Sequence, residues 1–337
     1  MLNKAVINLS ALKDNVNNIK SRLTSTTKLC AVVKADAYGH GAEKISSFLY
    51  PFVDCFAVAL IEEGINLRLC GIDKDILVLI PPLSNEDFSL AIDYGLTLSL
   101  SSKTDIKRAQ TISQKHDKLL KVHLKYNTGM NRLGFDTLDD LKSACELISS
   151  CSHLILDGLY SHLAYPENDA IYNDAYNKFL LAKRLVKRYN KNVTYHLSAS
   201  GGMLRGALFD MVRIGIMLYG YKPFETDKIT LKPVMKVYAP KLVERNIDNG
   251  QGALYGNLTT KEPITLSLIR LGYADGFFRK STPDIFNNRC MDISAVIGKS
   301  EDLVLVMGDA VELANKYQTI PYEILVNCAK RAEKIYT

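Results

Sequence analysis

KLCAVVKADAYGHGAEKISSFLYPFVDCFAVALIEEGINLRLCG, residues 28–71, is the stretch that decides the fold. Two short apolar runs, 28–34 and 55–60, are each followed by residues with helical spacing, and a strand alternating with a helix in this way is the pattern of a βαβ unit. The first helix starts near Ala42, after a loop holding Gly39 and Gly41, and the second, 61–70, closes at Gly71. The same rhythm continues through candidate strands at 75–80, 96–100, 120–125, 155–162, 193–198 and 210–214, which brings the total to eight. Helical spacing lies between them, as at 85–94, read with Asn85 as its cap, and at 137–150, capped by Thr137. The strands are continuous apolar runs, as required when both faces of a parallel sheet are covered. Eight such units predict an α/β fold built on a closed (β/α)8 barrel, with an open doubly wound sheet as the alternative.

After about residue 225 the helical spacing disappears, and Pro233, Pro240 and Pro263 punctuate short runs at 234–238, 264–270, 292–297 and 303–306. A β-rich second domain is expected there. Residues 4–9 alternate like a strand ahead of a helix at 10–20 and can pair with that second domain. The chain therefore divides into an N-terminal strand (1–9), a barrel (10–225) and a C-terminal β-rich domain (226–337).

Composition sets outer bounds on function. The 337 residues are 47% hydrophobic and 23% charged, which suits a globular protein and excludes disorder. The net charge of +6 is spread without a basic block, so no nucleic-acid footprint is written. The start of the chain lacks signal-peptide order and no apolar run is long enough to span a bilayer, so a cytoplasmic location is expected. Seven cysteines without a C-x-x-C pair encode neither a disulfide framework nor a zinc ribbon, and no metal is expected.

In a (β/α)8 barrel, chemistry belongs at the carboxyl ends of the strands. Those ends hold Lys34, Lys125, His162, Ser200 and Arg213. Lys34 closes the run CAVVK, where desolvation can lower its pKa and make it a covalent nucleophile; the plainer alternative is a lysine snorkelling at a strand terminus. Ser200-Gly201-Gly202 follows the seventh strand and Gly215-Ile216 the eighth, the two loops that barrels use to bind phosphate through backbone N–H groups. Tyr38 can add a hydroxyl. A lysine after strand one and a phosphate site after strands seven and eight suggest pyridoxal 5'-phosphate.

The stretch Ala31-Val-Val-Lys34-Ala-Asp-Ala-Tyr38-Gly-His-Gly41 resembles the cofactor-attachment motif of bacterial alanine racemases. Further matches follow in that family's order: His123-Leu-Lys125-Tyr-Asn-Thr-Gly-Met-Asn-Arg132, Tyr160-Ser-His162, Val212-Arg213-Ile-Gly-Ile216, Leu254-Tyr255-Gly256, Leu271-Gly-Tyr273-Ala-Asp-Gly276 and Cys290-Met291-Asp292. The resemblance implies a pyridoxal-phosphate isomerase that interconverts L- and D-alanine with two bases, and so supplies D-alanine for peptidoglycan. It implies that Lys34 carries the cofactor and handles the D-enantiomer, while Tyr255 handles the L-enantiomer. It also implies a homodimer, with Tyr255 reaching the barrel of the other subunit. Tyr38, Ser200, Gly215, Ile216 and Tyr322 are the matched phosphate contacts, and His162 with Arg213 links Tyr255 to the pyridine nitrogen. Arg132 matches the substrate-carboxylate site, oriented by Lys125, which the family carries as a carbamate. Met291 and Asp292 belong to the substrate wall, and Tyr273 lines the entrance.

Asp36, Asn127 and Ala199 stand where the family often has Asn, Asp and Asn, and the loop 164–169 is atypical, leaving a broader substrate range, such as serine, as the alternative. A barrel decarboxylase would want a carboxylate where Arg213 stands, and a non-catalytic cofactor carrier would resemble the barrel alone. The tail after Glu323 lacks the family's usual ending, a change expected to loosen the second domain or the dimer contact.

Overall fold

A computed structural model describes residues 2–255, 259–280, 286 and 288–337. After β1 (Lys4–Ile7), eight parallel strands follow: β2 (Lys28–Val32), β3 (Cys55–Val58), β4 (Ile76–Val78), β5 (Thr97–Leu100), β6 (Leu120–Lys125), β7 (Leu154–Tyr160), β8 (Thr194–His196) and β9 (Met211–Ile214). They hydrogen-bond in the order β8-β7-β6-β5-β4-β3-β2-β9. No regular ladder joins β8 to β9. Instead Asp210 N–H donates to Tyr195 O (3.0 Å) and Arg213 N–H to Ser198 O (2.9 Å), so the barrel is closed nearly all the way round. β4, β5 and β9 are buried at every position, the consequence of helices outside and packed side chains within.

The helices fall at 9–20, 42–49, 61–69, 85–93, 103–116, 138–149 and 169–186. Thr137 caps its helix by accepting from Asp140 N–H, as expected. The helix at 85–93 differs from expectation: its cap is Ser84, which accepts from Asp87 N–H while the Asp87 carboxylate accepts from Ser84 N–H. The reciprocal pair needs an acid three residues after the cap, and Asn85 has none at that spacing.

The C-terminal sheet runs β12-β11-β10-β1-β14, with β13 also paired to β10, where β10 is Met235–Ile247, β11 Ile264–Ile269, β12 Ser294–Ile297, β13 Leu303–Met307 and β14 Glu333–Tyr336. β1 is antiparallel to β10 and parallel to β14, so the first strand of the chain lies inside the last sheet, flanked on both sides. β10 runs well past the expected 234–238. Pro240 is tolerated inside it because the strand there passes from pairing with β13 to pairing with β11, and the register shifts between Lys241 and Val243. Two helices, Ala310–Tyr317 and Pro321–Cys328, were not expected in this β-rich half. Among the described residues no helix is long and apolar enough to cross a membrane.

Within the chain the tail is tied down by side-chain contacts. Arg331 holds Asp292 (2.8 Å) and lies 3.5 Å from Asp275, Lys334 holds Asp36 (2.7 Å), and Tyr336 Oη donates to His40 O (3.0 Å).

Candidate active site

β2 ends at Val32, two residues earlier than expected, and Lys34 opens a turn instead of closing the strand. Residues Ala35 to Tyr38 all have φ between 51° and 55°, one turn of left-handed helix made without glycine. Left-handed geometry costs L-residues roughly 1–2 kcal/mol each, so other contacts must hold it. Glu63 Oε1 accepts from Ala35 N–H (2.6 Å), while its Oε2 accepts from Ala59 N–H (2.7 Å). His40 Nδ1–H donates to Ala37 O (3.0 Å) and Tyr38 O (2.9 Å), a tautomer assigned from its two carbonyl partners. The turn sets Lys34 and Tyr38 on the same cavity.

That cavity, about 980 Å³, lies at the carboxyl ends of the barrel strands. Lys34, Tyr38, Lys125, Arg132, His162, Ser200, Arg213, Gly215, Ile216 and Tyr322 all line it. Tyr255, Tyr273 and Met291 do not; they are exposed on the second domain by 69%, 40% and 55%. Asp292 is held by Arg331 away from the cavity, and Gly256 of the Tyr255 motif lies outside the described residues.

The end of the cavity expected to hold phosphate is a cradle with no room to spare. A methyl group at Gly215 would sit 2.3 Å from Tyr38 Oη, and one at Gly202 would meet Ser198 Oγ at 2.4 Å. Tyr38 packs on Tyr219 (4.8 Å between centroids) and faces Tyr322 at 6.1 Å. Burial, followed by Tyr322, pushes the Tyr38 phenol well above its usual range, so it stays a neutral donor for an anion.

The opposite end is cationic. Burial, then Arg132, lowers the Lys34 amine, with Glu63 opposing, and burial followed by Arg132, Arg213 and Lys34 brings Lys125 down to about 8. His162 falls to about 3, from burial first and then Arg213 and Arg132, so it is a neutral imidazole. Arg132 rides on a loop organised by Asn127, whose Oδ1 accepts from Gly129 and Asn131 N–H groups (both 3.0 Å) while Nδ2 donates to Asp136 (2.7 Å). An aspartate at 127 could not donate to Asp136. Arg213 is almost wholly buried. Its terminal nitrogens donate to Ser161 O (2.7 Å), His196 O (3.0 Å), Leu197 O (3.3 Å) and His196 Nδ1 (2.7 Å), leaving Nε–H as the donor for the cavity.

Three contributors escaped the sequence reading. Glu63 was legible only as a helix-start acid. Tyr160, inside a recognised motif, forms a floor with Arg213 5.1 Å and Lys125 Nζ 5.5 Å from its ring centre. His196 stacks on Tyr160 at 4° and ends β8, two residues inside the expected strand 193–198, so attention to the expected strand end passes over it.

The alanine racemase N-terminal domain model matches residues 7–223 and the alanine racemase C-terminal domain model matches 234–336. The chain belongs to the alanine racemase family. An alanine racemase of Staphylococcus epidermidis is 30% identical, over 98% of this chain and 93% of that one, and one of Aquifex aeolicus is 31% identical over 98% and 97%. The solved alanine racemase of Clostridium difficile 630 superimposes with a TM-score of 0.94 at 29% identity, covering 100% of this chain and 96% of that one. The alanine racemase fold, barrel and antiparallel domain alike, is the one seen here.

Proposed function

We propose that the protein interconverts L- and D-alanine using pyridoxal 5'-phosphate, with each active site shared between two subunits. The observation that carries this reading is the convergence on one cavity of a desolvated lysine, an anion cradle and two arginines, one of them buried with a single N–H left for a ligand. Family membership supports the reaction, and a role in supplying D-alanine for peptidoglycan goes with it.

The donor set suits the cofactor. Tyr38, Ser200, Tyr322 and the backbone at Gly215 and Ile216 would hold its phosphate, Lys34 its aldehyde carbon, and Arg213 Nε–H its pyridine nitrogen. The bound cofactor supplies an electron sink for the substrate's α-carbon. Because Arg213 keeps its proton, it donates a hydrogen bond to that nitrogen without protonating it, which limits the sink and favours reprotonation over side reactions.

Arg132 takes the substrate carboxylate, since its fork matches two oxygens. Lys34 Nζ removes the α-proton of the D-enantiomer or returns one to form it. Tyr255 of the partner subunit does the same on the opposite face for the L-enantiomer, because inverting a carbon by proton exchange requires a group on each side. In support, Tyr255, Tyr273 and Met291 are exposed on this chain and absent from its own cavity. His162 stays a neutral imidazole on the same cavity as Arg213.

Lys125, brought to about 8, is partly a free amine near neutrality. It can add to carbon dioxide, forming an N–C bond and releasing a proton, and the resulting anion would face Arg132 where a lysine cation would repel it.

Racemisation of a panel of L-amino acids tests the reading. Alanine should turn over fastest, and Lys34→Ala should abolish both turnover and the absorbance band of the lysine-bound cofactor. Faster turnover of serine would overturn the substrate assignment, and an unchanged band in Lys34→Ala would overturn the attachment site.

A further inference from the structure

Below the cavity the barrel interior holds a chain of polar side chains that the proposed reaction does not use. Arg213 on β9 donates to His196 Nδ1 on β8 at 2.7 Å; His196 Nε2 lies 2.9 Å from His123 Nδ1 on β6; His123 Nε2 lies 3.2 Å from Asp157 Oδ2 on β7. Arg213, His196 and His123 are 3%, 0% and 5% exposed, whereas Asp157 reaches solvent at the amino-terminal rim.

The chain admits one direction. Arginine only donates, so His196 Nδ1 accepts and its proton sits on Nε2. That N–H donates to His123, whose Nδ1 must accept and whose Nε2–H donates to Asp157. A carboxylate only accepts, so Asp157 ends the chain as Arg213 begins it. Were His196 protonated on Nδ1, two donors would face each other 2.7 Å apart and the guanidinium would be displaced.

The backbone is shaped for this arrangement. Val122 pairs with Leu156 and His123 with Gly158, so Asp157 is the extra residue of a β-bulge, the device that re-aims a side chain. Gly158 then makes room: a methyl group there would lie 2.4 Å from His123 Nδ1. The remaining charged groups facing Asp157 are Lys121 and Lys28, and Lys121 is itself paired with Asp75 at 3.1 Å.

We propose that Asp157, His123 and His196 are positioning residues for Arg213, a one-way hydrogen-bond chain through the barrel that, with the carbonyls of Ser161, His196 and Leu197, occupies the terminal guanidinium nitrogens and leaves Nε–H for the cavity. This rests on the assignment of Arg213 to the pyridine nitrogen. Asp157 supplies the acceptor at the far end, so the two ends of the chain demand the same proton positions.

Long-range nitrogen–proton correlation spectra of the ¹⁵N-histidine-labelled holoenzyme read the tautomers directly, with the six imidazoles assigned by single substitutions. His123 and His196 should both carry their proton on Nε2. Asp157→Leu leaves the buried His123 Nε2–H without an acceptor and Arg213 alone to hold the direction, so part of the population should reverse both tautomers and displace the guanidinium, and the affinity of the apoprotein for pyridoxal 5'-phosphate should fall by about ten- to a hundredfold. In the same variant kcat should fall while KM for alanine holds, because Arg132 is untouched. Asp157→Asn should restore the tautomers and most of the affinity, since its amide oxygen accepts the same bond. A proton on His196 Nδ1 in the unmodified protein, or cofactor affinity unchanged in Asp157→Leu, would overturn the inference. Either result with alanine still racemised would leave the proposed function standing.

Discussion

Gly215 shows how a single residue can limit the site. The hydrogen of its α-carbon faces the Tyr38 hydroxyl, and Tyr38 cannot retreat because its ring packs on the fully buried Tyr219, whose own hydroxyl donates to Val32 O at 3.1 Å. Gly215→Ala should therefore destabilise the apoprotein by about 1–3 kcal/mol, the usual cost of overpacking, and weaken cofactor binding by pushing the Tyr38 hydroxyl out of place. In a Tyr38→Phe background the clash loses its oxygen, so the unfolding cost of Gly215→Ala should shrink. Denaturant unfolding of the two single variants and the double variant measures this; strict additivity would show that the two groups do not meet. Motif residues of this kind were legible in the sequence because each sits at a strand end. Glu63 was not, since its reach from a helix start to Ala35 N–H depends on a turn that no local pattern announces.

At the scale of elements, the left-handed turn Ala35–Tyr38 is the least ordinary piece of backbone. Its four non-glycine residues are held by Glu63, by His40, by Ala42 N–H donating to Asp36 Oδ1 (2.7 Å), and by Lys334 and Tyr336 from the C-terminal strand. The side chain of Ala35 is exposed at the edge of the cavity, and glycine there removes a single methyl group. Ala35→Gly should thus raise the unfolding free energy by about 0.5–1 kcal/mol, because glycine adopts positive φ without penalty. A decrease would mean that the turn is not strained in solution. The strands themselves were readable from continuous apolar runs, and all eight barrel strands were located. What escaped was set by distant partners: the loss of Val33 and Lys34 from β2, the Ser84 cap, the length of β10 across Pro240, and the two helices after β13.

For the molecule as a whole, buried neutral imidazoles make the fold sensitive to acid. Burial lowers His40 to about 4 and takes His196 well below its ordinary value, whereas both titrate near 6.5 once unfolded. Below about pH 6.5 the unfolded chain binds protons that the folded chain refuses, so stability is complete above that pH and declines as pH falls toward 4. Each such group contributes up to about 1.4 kcal/mol per pH unit. Urea unfolding of the apoprotein should show this decline between pH 7 and 5, and a flat profile would contradict it.

The division of labour between the two halves of the chain is the larger consequence. The barrel gathers the lysine, the cradle and the arginines, while the C-terminal domain carries Tyr255 on a surface that its own barrel does not use. Sequence order pointed to the family, but only the folded chain shows these two sets of residues lying apart. Mixing two inactive homodimers, Lys34→Ala and Tyr255→Phe, tests the shared site most directly. After subunit exchange each mixed dimer should contain one intact site, so racemisation should return to about a quarter of the unmodified rate if exchange is random. No recovery, with exchange demonstrated independently, would place Tyr255 in the same site as the lysine of its own chain and contradict the account.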